Sequence, residues 1–153
     1  EDMVYHASKL GADCAFFIEA EPAYAEGIGD VLMPADGPDG NLQGYCLCVV
    51  KPDVAVSTKE AYSAITPKKP AKSCRDIVRQ PIETWKEELV NDFEEPIFKM
   101  HPELAAIKQK LYDQGAAYAS MSGSGSALYG IFKEEPKGIA EQFDGMFCEV
   151  MKL

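Results

Sequence analysis

Apolar positions recur at helical intervals in the first ten residues, where Met3, Ala7 and Leu10 mark one stripe. Gly11 stands where a left-handed capping glycine would end that helix. Residues 14–18 are an unbroken apolar run, which predicts a buried segment. Weak alternation over residues 22–34, interrupted by Gly27 and Gly29, predicts two strands joined by a tight turn or bulge. Residues 36–44 hold three glycines and Pro38 and predict a surface loop. Tyr45-Cys46-Leu47-Cys48-Val49-Val50 is apolar at both strand parities, the pattern of a central strand.

Lys51-Pro52-Asp53 breaks that strand, and Ser57-Thr58-Lys59-Glu60 is a capping box that starts a helix at Thr58. Tyr62 and Ile65 lie three apart on one face of it, and the Pro67 to Pro70 stretch stops it. Two short helices are expected over residues 73–80 and 82–90, with Trp85 and Leu89 spaced i to i+4 on the second. Residues 91–100 are acidic and then apolar, with Phe93, Ile97 and Met100 at helical spacing. The clearest helix opens at His101-Pro102-Glu103, carries the stripe Leu104, Ile107, Lys108 and Leu111, and ends at Gly115. Small residues 116–120 then extend into Met121-Ser122-Gly123-Ser124-Gly125-Ser126, a returning strand over 127–132, a last helix over 136–143 and a terminal strand over 147–151. The sum is an α+β chain whose natural closure is an antiparallel β-sheet with helices packed on one face.

A formal net charge of −10, spread along the chain, argues against nucleic acid, which asks for a basic footprint. No apolar run approaches the ~18–20 residues needed to cross a bilayer, and no secretory signal pattern occurs, so a soluble cytoplasmic protein without membrane partners is expected. The five cysteines form no CxxC pair and suit reduced thiols; Cys46 and Cys48, two apart on a strand, pack toward one face. The two histidines, His6 and His101, lack ligand partners at zinc spacing, so no metal site is expected from these residues.

Three features rise above packing. The loop Ser122, Gly123, Ser124, Gly125 and Ser126 alternates hydroxyls with glycines, so its backbone can turn with positive φ and offer N–H groups to an anion; a plain hairpin turn has the same composition. Asp13 follows a helix end, as a cap or as a carboxylate at the edge of a cleft. Tyr62 follows a strand-to-helix turn, as a packing ring or as a platform for a planar ligand. Serine triads, HExxH and the Walker pattern are absent.

Gly11-Ala12-Asp13-Cys14-Ala15-Phe16-Phe17, Tyr24-Ala25-Glu26-Gly27-Ile28-Gly29, Lys51-Pro52-Asp53-Val54-Ala55-Val56-Ser57-Thr58 and Met121-Ser122-Gly123-Ser124-Gly125-Ser126 together resemble the GHMP small-molecule kinases, four blocks in the family's order. The resemblance implies a ferredoxin-like C-terminal domain over residues 21–153, with residues 1–20 closing the N-terminal kinase domain. It implies ATP as phosphoryl donor with Mg2+, and a small-molecule alcohol as acceptor, one that carries a cytidyl group. Asp13 matches the aspartate proposed to take the proton from, or orient, the acceptor hydroxyl, a sensible role where catalysis is mainly positioning and charge balance. Tyr62 falls where the family stacks an aromatic ring on cytosine, with Thr58 one turn earlier, and residues 122–126 match the loop beside the active site. Cys14-Ala15 stands where the family has Val-Pro. The family's lysine and its glycine-rich phosphate loop do not occur here, so the chain is expected to be a C-terminal half whose missing N-terminal half is its partner, and to be inactive alone. Other alcohols (homoserine, mevalonate, a sugar), or a non-catalytic ferredoxin-like module binding a small anionic effector, are the competing expectations.

Overall fold

The structure is a computed structural model and describes residues 2–35 and 42–153. The loop expected over 36–44 lies, for 36–41, outside the described residues. The described chain runs α1 (Asp2–Leu10), α2 (Cys14–Glu19), β1 (Ala23–Glu26), β2 (Val31–Pro34), β3 (Cys46–Lys51), α3 (Thr58–Ala64), α4 (Cys74–Ile77), a 3-10 turn (Ile82–Thr84) leading into α5 (Trp85–Glu88), α6 (Glu94–Met100), α7 (Pro102–Asp113), β4 (Tyr118–Met121), β5 (Leu128–Phe132), α8 (Ile139–Gln142) and β6 (Phe147–Lys152). These fall into two compact units, 2–35 with 72–81 and 42–71 with 82–153.

In the first unit α1 forms where the stripe predicts it, and Ala7 is its buried residue. Gly11 is not left-handed. Its N–H donates to Ala7 O at 3.3 Å and its carbonyl accepts from Cys14 N–H at 3.2 Å, so the chain passes from α1 to α2 in one tight turn. The run 14–18 is helical and only Ala15 is buried; Phe16, Phe17 and Ile18 are exposed. A helix turns by about 100° per residue, so five consecutive apolar residues cannot all face one neighbour, and the expectation of a buried segment fails for that reason. The hairpin expected around Gly27 and Gly29 is present. β1 and β2 pair antiparallel from Ala23↔Pro34 to Glu26↔Val31, and both glycines take positive φ, 70° and 95°, in the turn between them.

The second unit is built on a four-stranded antiparallel sheet in the order β4-β5-β3-β6. β3 is interior, as its two-sided apolar pattern requires. β4 follows β3, and β6 follows β5, across helical connections, each with one strand inserted between: the split β-α-β arrangement of a ferredoxin-like fold. Register places Cys46, Cys48 and Val50 opposite Phe132, Gly130 and Leu128 on one side and Lys152, Val150 and Cys148 on the other. Apart from Lys152, that face is the core face, and helices cover it with Leu104, Ile107 and Leu111 of α7, Ile97 of α6, Ala61 of α3, and Ile139 and Phe143 at α8. Full burial of each large side chain contributes roughly 1.5–3 kcal/mol, so this layer dominates the unit's stability.

Three helices are shorter than their patterns suggest. The one expected over 73–80 is a single turn, α4, capped by Ser73, whose hydroxyl accepts from Asp76 N–H at 3.1 Å. The one expected over 82–90 is a 3-10 turn followed by α5, with Trp85 buried. The last begins only at Ile139, because Gly138 takes a left-handed conformation (φ 69°) just before it.

Gly130 has ordinary strand φ, yet only glycine fits. A Cβ there would lie 2.9 Å from Phe132 Cε2 and 3.2 Å from Leu111 Cδ2, both on fully packed side chains. Gly130→Ala is expected to destabilise by about 1–3 kcal/mol through overpacking, read as a lower urea midpoint at unchanged denaturant slope. Cys48 lies against Cys148, Sγ to Sγ 3.8 Å, and burial first, then the neighbouring thiol, pushes its pKa up to about 12. Its thiol form is the one the fold favours, so reactivity through the thiolate is suppressed. At pH 8 iodoacetamide is expected to label exposed Cys74 and to spare Cys48 until the protein is unfolded, as mass spectrometry would show; equal labelling of both would contradict this packing.

Candidate active site

The Ser/Gly loop is the connection of the β4–β5 hairpin. Ser122 N–H donates to Ala127 O at 2.8 Å and closes it, and Gly125 N–H donates to Ser122 O at 3.0 Å inside it. Gly123 and Gly125 take φ of 54° and 91°, which L side chains rarely adopt, so the glycines are required by the turn itself. Ser126 is buried and its hydroxyl donates to Val54 O at 2.5 Å, tying the loop to the segment that leaves β3. Ser57 accepts from Glu60 N–H at 3.4 Å and starts α3 at Thr58, as the capping box predicts. That start sets Thr58 Oγ1 3.4 Å from Ser124 Oγ. Two of the expected residues are thereby brought together across 66 positions of sequence.

Tyr62 stands one turn further along α3. Its ring meets Phe93 nearly at right angles, centroids 5.0 Å apart, and remains 64% exposed, so it is oriented by a neighbour and reachable from solvent. Ile65, expected beside it on the helix face, is already extended and ends the helix.

Asn91 and Glu94 were not among the expected site residues. Asn91 Nδ2 donates to Met121 O at 2.9 Å and to Gly123 O at 2.8 Å, while its Oδ1 accepts from Phe93 N–H at 3.0 Å. Glu94 is buried. Its Oε1 accepts from Met121 N–H at 2.8 Å and from Ser120 Oγ at 3.1 Å, and its Oε2 meets Lys108 Nζ at 2.5 Å. Lys108, read as part of the α7 stripe, is thus the counter-charge of a buried carboxylate. The local signal for these roles was weak: Asn and Glu around a helix start suggest capping, and nothing local points to a strand about thirty residues on.

Asp13 belongs to the first unit. It occupies the N-cap position of α2, but its side chain makes no capping hydrogen bond, which removes the reading of Asp13 as a helix cap. The carboxylate is exposed, and its Oδ1 lies 3.4 Å from where a Cβ on Gly29 would stand, so the hairpin turn gives it room. Asp30 stays within that turn, accepting from Ile28 N–H at 3.3 Å. Among the described residues no group of three or more His, Cys, Asp or Glu side chains is gathered to hold a metal ion, and no helix is long and apolar enough to cross a membrane.

Residues 74–147 match the family model described as GHMP kinases C terminal. Over those residues the chain carries the C-terminal domain of the GHMP kinases. The chain is 47% identical over 148 residues to a 4-diphosphocytidyl-2-C-methyl-D-erythritol kinase of Bacteroides fragilis, covering 97% of this chain and 53% of the relative. A protein of the same name from Parabacteroides distasonis is 52% identical over 136 residues, covering 89% and 49%. The crystal structure of a 4-(cytidine 5'-diphospho)-2C-methyl-D-erythritol kinase matches at a TM-score of 0.78 with 25% identity, covering 100% of this chain and 58% of that one. The chain spans about half the length of the curated relatives it matches.

Ser126→Ala removes the bond to Val54 O and leaves a carbonyl without its partner, at a cost of about 1–3 kcal/mol. A urea midpoint equal to that of the unaltered chain would show that the hydroxyl does not hold the loop.

Proposed function

We propose that this chain is the C-terminal part of an ATP-dependent kinase that phosphorylates the 2-hydroxyl of 4-diphosphocytidyl-2-C-methyl-D-erythritol, a step of non-mevalonate isoprenoid synthesis. The observation that carries the reading is identity of 46–52%, over nearly the whole chain, to relatives named for that substrate. In this reading residues 1–20 close the N-terminal kinase domain and bring Asp13 with them, and residues 21–153 form the substrate-side domain. Asp13 takes the proton of the acceptor hydroxyl or orients it for attack on the γ-phosphate; its lack of a capping bond leaves the carboxylate available for that task. Tyr62 stacks on the cytosine, Thr58 supports that platform from the preceding turn, and residues 122–126 form a wall of the site.

ATP is held in this reading by the part of the protein that the relatives have beyond the span matched here. Magnesium would balance phosphate charge, but the described residues offer no set of ligands that fits it, and none is assigned. The apolar side chains Leu10, Phe17 and Ile28 are 84%, 75% and 81% exposed in this chain, which supports a covering partner in the form of that remaining part.

The test is phosphoryl transfer by the protein expressed from its complete reading frame, followed as ADP release with each candidate alcohol. The cytidyl alcohol is expected to be the accepted substrate. Asp13→Asn is expected to lower kcat by about 10²-fold or more, and Tyr62→Ala to raise KM for the cytidyl alcohol with little effect on KM for ATP. Transfer to homoserine or a sugar in preference to the cytidyl alcohol, or full activity in Asp13→Asn, would sink the proposal.

A further inference from the structure

The four residues Asn91-Asp92-Phe93-Glu94 touch both parts of the second unit to which a role is proposed. Asn91 holds the loop by two carbonyl oxygens, Met121 O and Gly123 O, one at the end of β4 and the other inside the turn. Glu94 holds the same strand end by its N–H, at Met121, and by the hydroxyl of Ser120. Phe93, between them, sets its ring against Tyr62, and Asn91 Oδ1 fixes the Phe93 backbone through its N–H. Lys108 in turn neutralises Glu94 from α7, the longest helix of the unit.

We infer that Asn91, Phe93 and Glu94 form one positioning element that sets the Ser/Gly loop and the Tyr62 ring at a fixed separation. The inference rests on the kinase reading for what the loop and the ring do; the bracket itself rests on the distances. None of the three touches the reacting groups in this scheme, so they are positioning residues. The physical basis is that a single short segment supplies both the amide that holds the first half of the loop and the ring that meets Tyr62, beside the Ser126–Val54 and Thr58–Ser124 bonds at the rest of the loop. A loop with two glycines at positive φ has little rigidity of its own, and an exposed tyrosine ring has two free torsions, so the relation between them is set by what both are fastened to. The Asn91 amide suits the task because two carbonyl oxygens ask for two N–H donors on one nitrogen. An aspartate of the same shape keeps the acceptor for Phe93 N–H and turns both loop bonds into oxygen facing oxygen.

Asn91→Asp, made in the protein expressed from the complete reading frame, tests this by two readouts. Amide hydrogen exchange over residues 122–126 is expected to speed up by about tenfold or more, with α7 unchanged, because only the local bracket opens. In phosphoryl transfer kcat is expected to fall about tenfold or more while both KM values move less than about threefold, the mark of lost positioning rather than lost protein. Unchanged loop exchange, or activity lost only in proportion to unfolded protein, overturns the inference. Should Asn91→Asp fail to fold, Phe93→Leu carries the test: KM for the cytidyl alcohol is expected to rise about fivefold or more without a rise in KM for ATP, and an unchanged KM overturns it. If the unaltered protein phosphorylates a different alcohol, the cytidyl-alcohol assignment falls while the exchange experiment still decides the bracket.

Discussion

The outer edge of β4 presents backbone N–H and C=O groups that no strand among those described pairs with, and such groups cannot be left bare beside a packed core. Here the missing strand is replaced by side chains. Asn91 supplies donors to two carbonyls and Glu94 supplies an acceptor to one N–H, and the buried carboxylate is tolerated because Lys108 and two further donors, the Met121 N–H and the Ser120 hydroxyl, surround it. Removing either partner of such a pair leaves an uncompensated buried group, which costs more than the pair itself contributes. The course of the segment before α6, the end of β4 and the start of the loop therefore depend on one another.

That dependence explains how a flexible sequence becomes a defined surface. Ser122 to Ser126 has the composition of a linker, yet its ends are closed by the Ser122–Ala127 bond, its interior is held by Asn91, and its last serine is buried against Val54. The close approach of α7 to the sheet at Gly130 places the hairpin from below, since a larger residue in β5 would push Leu111 and Phe132 away. Loop position is thus a property of the sheet, of α7 and of the 91–94 segment together. Thr58 meets Ser124 because α3 begins at a residue set by its own cap.

Much of this was legible from local pattern. The capping box at Ser57, the two-sided apolar strand at 45–50, the hairpin around Gly27 and Gly29 and the α7 stripe each state their structure within a few residues, where backbone and side-chain preferences act directly. The four motif blocks carried the family in the same way, through residue types at short spacing. The run 14–18 misled because apolar composition says that a neighbour is wanted, not that one is present on every side. The shortened α8 shows a glycine overriding helical periodicity by its backbone freedom.

By itself the sequence determined most of the elements and the family resemblance, and it named Asp13, Thr58, Tyr62 and the loop 122–126 as the candidates for chemistry. Only the tertiary structure decided that Asp13 makes no capping bond, that Thr58 reaches Ser124, and that Asn91 and Glu94 hold β4 about thirty residues away. The reason is range. Caps, turns and stripes are set by neighbours along the chain, whereas an edge strand's unpaired groups are satisfied by whatever side chain the packed helices deliver, and no spacing in the sequence records that delivery. The Ser/Gly loop over 122–126 is therefore a surface given its shape by the residues across from it.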